Sequence, residues 1–178
     1  MENSDEAIMQ LVKEGQLTEM SVLFERYHLR LFNFFLRMTF DKDTSQDLTQ
    51  NLFYRMIKYR HTFNNRYTFK SWIYQMARNI HTDYYLEQKK KDDLFVSTEN
   101  IQADVSDDNE GFQEEQFERL EYAFSELSNE QKELIVLSRY QGLKYEEISS
   151  IVNQSVPAIK VAIHRAIRQL RGIYFKQI

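Results

Sequence analysis

Apolar residues recur at helical spacing in two blocks of this chain, separated by a polar stretch without periodicity. A first helix is predicted over Asp5 to Lys13, ended at Glu14-Gly15, where glycine can supply a left-handed cap. A second runs from about Leu17 to Met38 with Leu23, Phe24, Tyr27, Leu31, Phe34 and Phe35 as its stripe. Thr44 and Ser45 suit the cap of a third helix, which carries Leu48, Leu52, Phe53, Met56 and Ile57 along one face. A loop at His61 to Tyr67 precedes a fourth, from about Phe69 to Lys90, with Trp72, Ile73, Met76, Ala77 and Ile80. Four such stripes predict one bundle.

From Asp92 to about Gly111 the pattern stops, and runs such as Asp104-Val-Ser-Asp-Asp-Asn-Glu-Gly read as a solvated linker. It resumes at Phe112 in four shorter helices, at about 113–126, 129–140, 145–152 and 156–173. The expected fold is therefore all-α. Two helical domains, 1–91 and 113–178, are joined by a flexible acidic linker at 92–112.

Composition supports helices: four glycines and one proline are too few for the turns of a β-rich fold. With no cysteine, disulfides and cysteine-ligated zinc are impossible, which suits a reducing cytoplasm. The acidic start Met-Glu-Asn-Ser-Asp-Glu lacks the order of a signal peptide, and no apolar run approaches the roughly 18–20 residues of a membrane span. A cytoplasmic protein without membrane insertion is expected. The net charge of −4 misleads about partners. Residues 93–118 hold no Lys or Arg and nine Asp or Glu, whereas 1–92 and 119–178 are +2 and +3. Two mildly basic modules flank one acidic segment.

The last two helices look like a helix-turn-helix. Tyr145-Glu-Glu-Ile-Ser-Ser-Ile is a short amphipathic helix and Asn153-Gln-Ser is the turn. Ser155 is a good N-cap and Pro157 falls in the first turn, where a missing N–H costs nothing. Ile159, Ile163, Ala166 and Leu170 form the buried seam, so Lys160, His164, Arg165 and Arg168 face outward, with Arg171 and Lys176 beyond. No Asp or Glu follows Pro157. An acid-free helix suits the major groove. The expected DNA surface is Ser155, Pro157, Ala158, Lys160, Val161, His164, Arg165 and Arg168. The alternative is a basic, solvated surface helix without a partner.

Between Asp47 and Asp83 no acid occurs either. That span interleaves Arg55, Lys58, Arg60, Arg66, Lys70 and Arg78 with Tyr54, Tyr59, Phe63, Tyr67, Phe69, Trp72 and Tyr74. Single strands need such a mixture, a π-face for each base and cations for the backbone. The alternative is that Phe53, Phe69 and Trp72 are core, whereas Tyr59, Phe63 and Tyr67 beside a polar loop are expected at the surface.

These residues resemble a known family. Leu23-Phe24-x-x-Tyr27, Asp47-Leu48-x-Gln50-x-x-Phe53, Phe69-x-Ser71-Trp72-Ile73-Tyr74-x-Met76-Ala77-Arg78-Asn79 and Asp83 are similar to region 2 of extracytoplasmic-function (ECF) sigma factors, of the sigma-70 superfamily. Leu127-Ser-x-Glu130-Gln131, Tyr140-x-Gly142-Leu-x-Tyr145-Glu146-Glu147-Ile148 and Ile159-Lys160-x-x-Ile163-His164-Arg165-Ala166 are similar to region 4. The resemblance implies a non-enzymatic protein that carries core RNA polymerase to promoters and helps open them. Asp47, Gln50, Asn51 and Phe53 would face the β′ clamp helices, and Leu134, Leu137 and Tyr140 the β flap. Arg60, His61, Phe63, Asn64, Asn65, Arg66, Tyr67, Lys70, Trp72, Arg78 and Asn79 would take the minus-ten element, with flipped bases at the loop. Lys160, His164 and Arg165 would meet the minus-thirty-five element. The linker would either thread toward the RNA exit path or merely solubilise, and an anti-sigma factor is an implied partner. The chain departs from the family with Ser128 for the usual proline, Asn153 for a glycine, and Ala162 and Leu86 for common cations.

No cofactor or metal is expected. His28, His61, His81 and His164 lack ligand spacing, and no nucleophile elbow or phosphate-cradling glycine loop occurs. Asp104 to Glu110 lacks the ligand order of a calcium loop. Two rivals make different predictions. A helix-turn-helix regulator with a sensing domain would bind DNA without polymerase; a nucleic-acid-processing enzyme would need clustered carboxylates.

Overall fold

Helix α1 (Asp5–Lys13) opens with Ser4, whose hydroxyl accepts from the Ala7 amide, and ends at Gly15, whose φ of 104° only glycine takes without strain. In this computed structural model residues 3–94 and 112–176 are described, and every regular element among them is helical. Two compact units divide the chain.

The first unit contains α1, a single 3-10 turn at Leu17–Glu19, α2 (Met20–Thr39), α3 (Lys42–Lys58), another 3-10 turn at Arg60–Thr62, and α4 (Phe69–Leu94). The stripe of α2 is core at Leu23, Tyr27, Leu31, Phe34 and Phe35, but Phe24 is 47% exposed. It stacks on His28 and tilts against Phe53 at the surface, ring centroids 4.8 Å apart in both pairs. Ile57 likewise lies outside. The cap of α3 is Asp41 rather than Thr44 or Ser45: its carboxylate accepts the Thr44 amide at 2.6 Å, and hydrogen bonding from the Thr44 side chain, with that amide bond, holds its pKa below the ordinary value. Ser45 is buried one turn further in, its hydroxyl donating to the Asp41 carbonyl. Burial of Leu52, Met56, Ile73, Tyr74, Ala77 and Ile80 closes the bundle, each large side chain contributing about 1.5–3 kcal/mol. Helix α4 continues to Leu94, past the predicted edge of the linker; the rest of that segment, with its proposed roles, lies outside the described residues up to Gly111.

The second unit contains α5 (Phe112–Ser125), α6 (Asn129–Ile135), α7 (Tyr145–Val152) up to Ser149 and α8 (Val156–Lys176), with α8 packed on α5 and α6. Ser128 and Gln131 form a reciprocal capping box at the head of α6, so serine does here what the usual proline cannot. The helix predicted over 129–140 widens at Val136–Tyr140 into a π turn, with the Gln141 amide reaching back five residues to Val136 at 2.9 Å. Between α7 and α8 the turn is made by Asn153 in the left-handed region (φ 55°), a conformation asparagine tolerates better than most residues with a Cβ.

Candidate nucleic-acid interface

Helix α8 buries Ile159, Ile163 and Ala166 and leaves Leu170 half-buried. The opposite side is open: Ser155, Pro157, Ala158, Lys160, Val161, His164, Arg165 and Arg168 are all exposed. Ser155 starts the helix, its carbonyl accepting the Ile159 amide at 3.0 Å. A cleft of about 650 Å3 runs along this face, lined by Lys160, His164, Arg168 and Arg171 from α8 and by Arg139 and Tyr145 from outside it. Lys160 sits 5.7 Å from the Tyr145 ring centre, and Arg168 Nη2 lies 3.2 Å from His164 Nε2. Arg139 and Tyr145 escape a reading of α8 because they belong to other elements; the absence of acids on α8 could not point to them. The Tyr145 ring lies under the Lys160 ammonium, and five cationic or imidazole groups share one concavity. That arrangement can take a phosphate backbone.

The first unit distributes its predicted residues differently. Asn64, Asn65, Arg66 and Tyr67 are exposed at the tip of the α3–α4 loop, and His61 is exposed on the 3-10 turn before it. Asn64 shapes the tip: its side-chain oxygen accepts the Arg66 amide at 3.0 Å, and its carbonyl the Tyr67 amide at 3.1 Å. Phe63, predicted at the surface, is 1% exposed, because it fits edge-on between Phe69 and Trp72 with centroids 6.3 and 5.5 Å away. A ring enclosed by two others cannot stack on a base. Tyr74 is also core. Trp72, Lys70 and Arg78 are half-buried and Asn79 is exposed. Arg60 donates to the Ile57 carbonyl at 3.0 Å, capping the C-terminus of α3. Lys70 borders a second cleft, of about 440 Å3, with Asn3, Asp5, Arg26, Tyr27 and Arg30. There burial and the hydrogen bond to Asp5 push the Tyr27 phenol well above its ordinary pKa, so it stays protonated.

Of the residues predicted to face polymerase, Asp47 and Gln50 are exposed on α3 and Asn51 is half-buried, but Phe53 is packed under Phe24. Leu134 and Leu137 are core, 5% and 0% exposed, while Tyr140 is 42% exposed. The resemblance groups the three, but the first two are sealed in the core and only Tyr140, the last residue of the π turn, is open. Around Tyr54 and Tyr59 the Lys58 ammonium lies 5.8 and 5.4 Å from the two ring centres, an exposed aromatic–cation group on the same helix end.

Every regular element among the described residues is helical, and the second unit ends in a helix-turn-helix of the kind found in DNA-binding transcription factors. The comparisons narrow this. Residues 23–91 match the family model of Sigma-70 region 2 and residues 117–170 that of Sigma-70, region 4. The chain is 32% identical over 156 residues to the ECF RNA polymerase sigma factor SigM of Bacillus subtilis, covering 85% of this chain and 93% of that one. It is 27% identical over 156 residues to SigX of the same organism, covering 84% and 80%. Its fold is similar to that of CnrH, solved in complex with the cytosolic domain of CnrY, at a TM-score of 0.77 and 16% identity over 99% of this chain and 100% of that one. The chain belongs to the ECF RNA polymerase sigma factors of the sigma-70 family, non-catalytic transcription initiation factors. Its function is to direct promoter-specific transcription. Among the described residues no helix is long and apolar enough to cross a membrane.

Proposed function

We infer that the two units divide promoter recognition between them. The exposed face of α8, from Ser155 to Arg168, reads the minus-thirty-five duplex, with Lys160, His164 and Arg165 near the bases and Arg139 and Arg171 on phosphates. The exposed tip Asn64–Tyr67, with His61 before it and Lys70, Arg78 and Asn79 along α4, captures flipped bases of the minus-ten strand and its backbone. Asp47, Gln50 and Asn51 on α3 dock on the β′ clamp helices of core polymerase, and Tyr140 approaches the β flap. Phe63, Phe53, Leu134 and Leu137 support these surfaces from within. The protein works without catalysis, in the cytoplasm. An anti-sigma factor would compete for the same faces; a relative from Bartonella quintana, RpoE, is solved in complex with the anti-sigma factor NepR.

The observation that carries this reading is the separation of exposure from core on α8. Every α8 residue placed on DNA is open to solvent while the seam at Ile159, Ile163 and Ala166 is sealed. The test is co-purification with core polymerase, followed by run-off transcription from promoter fragments recovered from polymerase-bound DNA. Transcription that depends on the added protein supports the reading. Tight binding to those fragments by the free protein, with no effect on core polymerase, supports the rival helix-turn-helix regulator.

A further inference from the structure

The exposed tip of the α3–α4 loop is bracketed by two buried rings, Phe63 and Phe69, 1% and 0% exposed. Bonds within the tip run from Asn64 to Arg66 and Tyr67. At each end, however, one bond comes from outside. Lys13 Nζ donates to the Phe63 carbonyl at 2.7 Å, and the Phe69 amide donates to Glu6 Oε1 at 2.9 Å. Both partners stand on α1, seven residues apart, so they share a face about 10.5 Å along its axis.

The polarity matches at each end. An ammonium meets a carbonyl where the chain leaves the 3-10 turn, and a carboxylate meets the first amide of α4. That amide is one of the orphan donors of a helix start, and the local cap does not reach it. Thr68 accepts the Ser71 amide instead, at 3.1 Å. A carboxylate there also faces the positive end of the α4 dipole. Charge-assisted bonds of this kind are the stronger ones. Helix α1 is itself anchored: Asp5 accepts from Arg26 at 2.6 Å and from the Tyr27 phenol, and Ile8, Met9 and Val12 are core.

We propose that α1 is the brace that sets the spacing of the strand-capturing tip, with Glu6 and Lys13 as its positioning residues. The proposal rests on the reading of Asn64–Tyr67 as the minus-ten contact. Neither residue touches DNA; each fixes one end of the backbone segment that does.

The experiment uses the full chain with Glu6→Leu, Glu6→Gln and Lys13→Met. Hydrogen exchange on the free protein follows the Phe69 amide, and the holoenzyme is assayed for core affinity and for opening of a promoter fragment recovered as above. Losing one such bond should speed Phe69 exchange in Glu6→Leu and slow opening about tenfold in Glu6→Leu and in Lys13→Met. Core affinity should stay within about twofold, since α3 carries the polymerase contacts. Glu6→Gln keeps the acceptor oxygen and should open promoters nearly as the wild type does. Should Glu6→Leu fail to fold, Lys13→Met decides. Opening and core affinity falling together, or neither falling, overturns the brace. A wild-type holoenzyme that opens no promoter overturns the reading of the tip, and the brace with it; wild-type opening alongside unimpaired variants overturns the brace alone.

Discussion

In the second unit the residues predicted to face DNA lie on the open side of one helix and its cap. In the first they are spread over a loop tip, a helix C-terminus and half-buried positions of α4. On α8 a side chain's position along the chain decides its exposure, because core and solvent alternate with the helical period. In the loop no period exists, and Phe63 and Tyr67, four residues apart and alike in chemistry, end up 1% and 59% exposed. What separates them is the packing of Phe69 and Trp72 around one ring, a tertiary fact.

That contrast can be broken most directly at Phe63. Phe63→Ala should cost about 3–5 kcal/mol in denaturant unfolding of the first unit, whereas Tyr67→Ala should change stability by less than about 0.5 kcal/mol. Promoter opening should fall in Tyr67→Ala with polymerase binding intact. Equal stability losses would put both rings in the core and remove Tyr67 from strand capture.

The second unit offers a matched pair. Leu137→Ala should cost about 2–5 kcal/mol, and Tyr140→Ala, at an exposed ring, little stability. A pull-down with core polymerase would then weaken in Tyr140→Ala while its unfolding midpoint holds. A smaller effect is expected at the α3 cap, where Asp41→Ala should cost about 1 kcal/mol at neutral pH. Because the folded state depresses the Asp41 pKa, its contribution is present above the ordinary carboxylate value and is lost as pH falls through the depressed one. The gap between Asp41→Ala and wild type should close on titration below about pH 4, while the gap between Asp41→Ala and Asp41→Asn, which keeps an acceptor and does not titrate, should stay constant. Smallest in stability is Arg165→Ala, which should leave unfolding unchanged and reduce the salt slope of promoter binding by about one. An unaltered slope would take Arg165 off the DNA.

The helical units, their order and the face of α8 are legible in the sequence, since each depends on periodicity, caps and turn residues that act locally. The cap of α3 shifts to Asp41 because a carboxylate three residues before the Thr44 amide competes with the hydroxyls at 44 and 45. Phe24 and Ile57 sit at the margins of their stripes and fall outside. Arg139 and Tyr145 join the α8 cleft only through tertiary proximity, and Glu6 and Lys13 reach partners some 63 and 50 residues away. No local pattern encodes such pairings.

The widened turn at Val136–Tyr140 has a further consequence, one of phase. A π turn holds one residue more than the regular helix around it, so the chain downstream keeps its place while its rotational count is offset. Ser138 sits at this offset, its hydroxyl donating to the Leu134 carbonyl at 2.7 Å. Deleting that single residue would let the segment relax to an ordinary helix. Everything from Arg139 to Gly142 would then swing by about 100°, one residue's rotation. Arg139 would leave the cleft that it shares with α8 without any change to α8 itself. The surface proposed to contact DNA in the second unit is thus tuned by one residue of helical surplus, well upstream of α8.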